Sequence, residues 1–118
     1  MILSTKHTVG ANLVGGTTTV LITSPVGYKC VVSMLYIGNA GGSSKTVSAI
    51  WNSTVDVTFQ GAKNVGAGDS LEFGGPYGHF VVLKQGESLS VTTEADSSFS
   101  TLVSFELLRA APSPVNFT

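Results

Sequence analysis

No stretch of ten or more residues in this 118-residue chain spaces its apolar side chains for a helix, whereas two-residue alternation recurs along most of it. The alternating segments are separated by clusters of Gly, Pro, Asn and Ser roughly every ten residues, the cadence of a sandwich or barrel. A weak first segment, Lys6–Val14, is closed by Gly15-Gly16, and Thr17–Thr23 is β-branched apart from Leu21. Ser24-Pro25-Val26-Gly27 reads as a turn, with proline fixing φ and glycine free to take positive φ. Tyr28–Ile37 is apolar on both faces from Val31 onward, as expected of a strand covered on both sides. Gly38–Ser44 (GNAGGSS) reads as a flexible turn and a candidate mobile tip. Lys45–Trp51 places Val47, Ala49 and Trp51 on one face, and Val55, Val57 and Phe59 form the next stripe. A long connection, Gly61–Asp69, then leads to the short segment Ser70–Phe73. After the tight loop Gly74–Gly78 come a strand at His79–Lys84, a turn at Gln85-Gly86-Glu87, and strands at Ser88–Thr93 and Phe99–Leu108.

About eight strands and no helix predict an all-β, two-layer antiparallel β-sandwich, jelly-roll or Ig-like. One domain is expected over residues 1–108, with 1–6 as an N-terminal arm and 109–118 as a Pro-containing C-terminal tail. The inward set predicted from the alternation is Val32, Met34, Val47, Trp51, Phe59, Leu89, Val91, Val103 and Phe105.

Composition narrows the function. Thirteen residues are charged and the formal net charge is −1, which leaves no cluster of Lys and Arg to grip nucleic acid. An apolar share of 42% argues against charge-rich disorder. No run approaches the ~18 apolar residues of a membrane-spanning helix. The opening MILSTKHTVG has no basic start or small-residue cleavage site, so no secretory signal is expected. The 28 Ser and Thr and 14 Gly, with so few charges, make a poor surface for a free monomer and suit a surface covered in an assembly.

Chemistry-bearing motifs are scarce. His79, opening a strand beside a Gly-rich loop, is a candidate ligand or base, but its simpler reading is a strand-end aromatic, since metal sites need three or four convergent ligands. His7 reads as a surface residue. Cys30 is the only cysteine; it excludes an internal disulfide and reads as a small buried hydrophobe. No G-x-S-x-G elbow occurs among the 15 serines, and Gly68-Asp69-Ser70 reads as a turn entering a strand. The seven carboxylates (Asp56, Asp69, Glu72, Glu87, Glu94, Asp96 and Glu106) lie mostly at turns or outward positions, not as a facing catalytic pair. Gly66-Ala67-Gly68 and Gly41–Ser44 lack the Lys-Ser or Lys-Thr pair of a phosphate loop, and Glu94-Ala95-Asp96 is too thin for calcium. Asn52-Ser53-Thr54 and Asn116-Phe117-Thr118 match the glycosylation pattern, incidentally in so Ser/Thr-rich a chain. Tyr28, Tyr36, Trp51, Tyr77 and Phe80 could form a sugar-stacking platform, although Trp51 shares a face with Val47 and Ala49 and so reads as core. No catalytic residue, cofactor or metal is expected.

Tyr28–Leu108 nevertheless resembles the small β-sandwich virion proteins of tailed bacteriophages. The resemblance is carried by Val31–Asn39 (VVSMLYIGN), Lys45–Trp51, Ser70–Phe73, Val81–Val91 (VVLKQGESLSV) and Ser104–Leu108. It implies a non-enzymatic decoration or cement protein on the capsid surface, made in the host cytoplasm. Implied partners are the major capsid protein or other virion proteins, in a homo-oligomer, commonly a trimer, with no nucleic acid or membrane. The alternative is a tail, neck or fibre module binding a host glycan or another virion protein, which exposed aromatics beside Asn, Asp or Gln would favour.

Overall fold

The structure, a computed structural model, describes residues 5–74 and 80–109. Its strands are β1 (Thr5–Val14), β2 (Thr18–Thr23), β3 (Tyr28–Asn39), β4 (Lys45–Asn52), β5 (Val57–Val65), β6 (Ser70–Gly74), β7 (Val81–Leu83), β8 (Ser88–Thr93) and β9 (Ser98–Arg109). Among the described residues there is no helix. The strands form two antiparallel sheets, β1-β9-β3-β6 and β2-β8-β4-β5. β7 shares the β3 edge with β6: Met34–Gly38 pair with β6 and Cys30–Val32 with β7. Counted as one interrupted strand, β6 and β7 leave four strands per sheet. Successive strands cross between the sheets, except for the β4–β5 pair, and the first strand lies beside the last. That connectivity is a jelly roll rather than an Ig-like sandwich.

Hydrophobic alternation sets the two inner faces. Cys30, Val32, Leu35, Ile37, Leu83, Phe99, Val103 and Phe105 from one sheet meet Val47, Ala49, Val65, Leu89 and Val91 from the other. Trp51 and Phe59 are half-buried against this core. Phe59, Phe73 and Phe80 form an aromatic cluster with ring centroids 5.3–5.5 Å apart, joining β5 to the β6–β7 side.

Several expectations need correction. Met34 is not part of the core. The pairing of β3 with β9 slips between Val32 and Met34, which makes Ser33 an extra residue. A bulge of one residue reverses the side-chain phase, so the core set is Cys30 and Val32 before it and Leu35 and Ile37 after it. Second, residues 61–65 continue β5 rather than forming a connection, and Val65 is buried at their end. The β4–β5 register shifts twice, so this edge strand carries bulges that disguise its alternation. The same irregularity dissolves the expected stripe: Val55 and Val57 are exposed and only Phe59 reaches the core. Third, Asn39, expected in a flexible turn, is buried at the end of β3. Thr5, Lys6 and Arg109, assigned by sequence to the arm and tail, belong to strands. His79, Tyr77 and the segment 110–118 lie outside the described residues.

Candidate functional site

Among the described residues, those that could carry chemistry are held apart or engaged in structure. His7, exposed on β1, stacks on Phe105 with centroids 5.2 Å apart. Cys30 has no exposed surface, and burial pushes its thiol up to about 11, which keeps it protonated and inert at neutral pH. Among the described residues no three His, Cys, Asp or Glu side chains converge as a metal set. Asp69 belongs to a turn, its N–H donating to the Gly66 carbonyl at 2.9 Å. Among the described residues the aromatics that could have stacked a sugar take separate places, and Trp51 keeps its expected core role. Trp51 packs on the core, Phe80 joins the aromatic cluster, Tyr28 stands at the start of β3, and Tyr36 lies over Gly38 on the outer face.

Two carboxylates act as clamps. Glu94 accepts the Thr46 N–H at 2.9 Å and its hydroxyl at 3.2 Å, with Lys45 at 3.8 Å. These contacts, the Thr46 N–H first, hold its carboxyl below the ordinary value. Glu87 is the residue that sequence reading misses. It lies where the β2–β3, β4–β5 and β7–β8 turns meet, beside a shallow depression lined by Asn52, Ser53, Thr54 and Lys84. Gly27 and Gly86 take φ of +85° and +83° in two of these turns. The turns bond to each other: the Ser24 N–H donates to the Glu87 carbonyl and the Gly86 N–H to the Ser24 carbonyl, both at 2.9 Å. The Glu87 side chain then accepts the Ser53 hydroxyl at 2.5 Å and the Lys84 N–H at 2.8 Å. The Ser53 hydroxyl is the main cause holding its carboxyl below the ordinary value of 4.5, despite some desolvation. The Trp51 indole adds a minor pull but makes no hydrogen bond of normal geometry. Nothing in this arrangement pairs an acid with a base; it fixes three turns.

A carboxylate whose folded value is lowered stabilises the fold above its unfolded pKa, and that contribution is lost as pH falls through the folded value. Glu87→Gln is therefore expected to cost about 1 kcal/mol at neutral pH, a figure kept small by solvent exposure. The difference from wild type should shrink once pH drops below the ordinary value of 4.5. Urea titrations of both proteins from neutral to acid pH check this; a gap that stays constant would assign the loss to packing.

The outer surfaces carry few charges, Lys6 and Glu106 in one row and Glu72 in another among them. On the sheet containing β2, a hydroxyl-rich row runs through Thr18, Thr92 and Ser48, with Thr18 and Thr92 hydrogen-bonded at 2.7 Å. On the other sheet Tyr36, Leu102 and Gly10 lie in one cross-strand row, and Leu102 is 44% exposed. The edges differ. β5 is bulged and carries Lys63, and β6 and β7 are short. β2 is uncharged but slips register between Val20 and Ile22. β1 pairs with β9 through ten successive residues without a slip, and its outer edge is unpaired among the described residues.

No known protein family and no curated protein matches this sequence. Among solved structures, the chain is similar to a protein of the Bacillus endospore appendages, described as a novel family of disulfide-linked pili. That match has 9% identity, covers 94% of this chain and 92% of the other, and has a TM-score of 0.58. A chain of the cyanophage Pam1 capsid asymmetric unit matches at 10% identity over 92% and 85%, with a TM-score of 0.46. A chain of infectious bursal disease virus, Gx strain, matches at 9% identity over 97% of this chain and 37% of that one, with a TM-score of 0.44. At 9% identity the likeness to the endospore appendage protein is one of fold alone.

Proposed function

We propose that the protein is a non-enzymatic structural component of a virion, a decoration or cement protein that binds the head surface as an oligomer. The observation that carries this reading is the division of labour in the molecule. Glu87 and Glu94 are engaged in tying turns and strands together, while β2 and the stretch of β1 from Thr8 to Val14 carry no charge and Thr18, Val20 and Leu102 are exposed. A chain of similar fold and nearly the same extent belongs to the endospore pili, so the fold suits an ordered assembly. The disulfide linkage described there does not transfer, because the lone Cys30 is enclosed in the core. The major capsid protein or another virion protein is the partner in this reading, and residues 110–118, with Val115 and Phe117, contribute to attachment. A glycan module is less well supported, since the aromatic side chains form no exposed platform among the described residues.

The test is immunogold labelling of particles from the source lysate, alongside a variant lacking residues 110–118. Regularly spaced label on the head, reduced by the deletion, is the expected result. Label confined to tails or fibres, or absent from particles, overturns the decoration reading. Head label unaffected by the deletion leaves the segment without its assigned role.

A further inference from the structure

We propose that β1 is the contact through which two copies of this chain join, pairing antiparallel about a twofold axis at Gly10 to make one continuous sheet. This deepens the oligomer part of the reading above and rests on it. The two long sides of the sandwich are finished differently. On the β5 and β6–β7 side, Phe59, Phe73 and Phe80 pack between the sheets and the edges are bulged or short. On the other side, β1 is a ten-residue edge with a regular register and no charge from Thr8 to Val14. Free proteins usually guard an edge of that length with charge, proline or a bulge.

Among the described residues the inward face of β1 is also largely uncovered. His7, Val9 and Ala11 stand across from Phe105, Val103 and Thr101 of the core, yet all three are exposed, Val9 at 38%. Only Leu13 in this row is buried. Hydrophobic side chains left at the lip of a core beside unpaired backbone groups fit another strand, which supplies both ladder partners and apolar cover.

The strand is complementary to itself. With Gly10 opposite Gly10, Val9 faces Ala11, Thr8 faces Asn12, His7 faces Leu13 and Lys6 faces Val14 of the second copy. Inner-face residues thus meet inner-face residues, Val9 meets Ala11 and Thr8 meets Asn12 nearest the axis, and the two Lys6 side chains lie at opposite ends of the paired segment, well beyond a Debye length of ~8 Å. On the outer face Leu102 already leans over Gly10, where a Cβ would stand 3.1 Å from its Cδ2. Pairing two glycines at the axis leaves room for both Leu102 side chains to approach each other above them. β2, the edge singled out by its uncharged sequence, is the poorer partner, because its register slip interrupts a regular ladder.

Charge swaps at the two facing positions test the register. Wild type is expected to have the mass of two chains by light scattering at high concentration, with β1 amides protected from hydrogen exchange in step with association. Val9→Lys with Ala11→Lys places like charges opposite each other and should give the mass of one chain. Val9→Lys with Ala11→Glu places opposite charges there and should restore the pair. All these side chains are exposed, so circular dichroism should not change. In a second arm, Val9→Cys with Ala11→Cys should form a covalent dimer on mild oxidation, whereas each single variant should not; buried Cys30 stays in place. A wild type that is monomeric at every concentration overturns the proposal. So does cross-linking by the single variants, or an opposite-charge double variant that is no different in mass from the like-charge one. A monomer that still labels heads removes the β1 pair and leaves the decoration reading standing. A β1-dependent dimer that never reaches particles does the reverse.

Discussion

Gly74→Ala is expected to destabilise the protein by about 3–5 kcal/mol, among the largest losses a single methyl can cause. Two features combine at this position. Gly74 has φ of +79°, where a Cβ alone costs about 1–2 kcal/mol. The added Cβ would also stand 2.1 Å from the Ser33 carbonyl oxygen and 2.9 Å from the Phe80 Cβ. Neither neighbour can yield easily. Ser33 is the bulge residue of β3, anchored by its hydroxyl donating to the Ser104 carbonyl at 3.1 Å, and Phe80 belongs to the aromatic cluster. Gly27 is the control, since it has φ of +85° with nothing near a Cβ, so Gly27→Ala should cost only about 1 kcal/mol. Denaturant unfolding of the two variants measures the difference; similar losses would mean that the bulge relaxes freely.

Asn39→Asp should be comparably damaging. Asn39 is 2% exposed and holds three segments together. Its Nδ2 donates to the Ser43 carbonyl at 2.8 Å and the Val65 carbonyl at 2.9 Å, and its Oδ1 accepts the Gly41 N–H at 2.9 Å. An aspartate replaces the amide with an acceptor-only group that faces two carbonyl oxygens. The expected loss is about 3–5 kcal/mol at neutral pH, against about 2 kcal/mol for Asn39→Ala, which removes the bonds without burying a charge. Acidification should narrow the gap, because the protonated carboxyl can donate one bond again and carries no charge. Thermal melts of both variants at neutral and mildly acid pH decide it. A gap that does not change with pH would show that the carboxylate escapes to water.

What the sequence revealed follows from how local each signal is. Ser88–Thr93 is bounded by a Gly turn and a Glu-Ala-Asp turn and alternates cleanly between them, so its limits agree with β8. The Ser33 bulge left no such trace. Val31 to Ile37 is apolar in both phases apart from Ser33, so a one-residue slip changes which side chains face inward without changing the pattern. Residues 61–65 look like a linker because Gly61 and the two β5 bulges break the alternation that identifies a strand. Jelly-roll and Ig-like sandwiches share the same string of strands and differ in which strands pair, a property of contacts spanning most of the chain. The Glu87 clamp was invisible for the same reason: Ser53 lies 34 residues away.

The order in which strands enter the two sheets also governs how the chain can fold. β9 lies between β1 and β3, and β8 lies between β2 and β4. Both of these inner strands come from the last part of the described chain, so β1 and β2, which pair with no other described strand, have no place to dock until residues 88–109 exist. Among the described strands only the β4–β5 hairpin pairs neighbours in sequence; Lys6 waits for Glu106. Contacts of such high sequence separation put folding in the slow range for small domains, on the order of milliseconds to seconds. The uncharged β2 stays unpaired for that whole interval, and β3 keeps one edge open even after β6 and β7 have joined the other. For this molecule the hazard of aggregation belongs to synthesis and refolding, before the final two strands close both sheets at once.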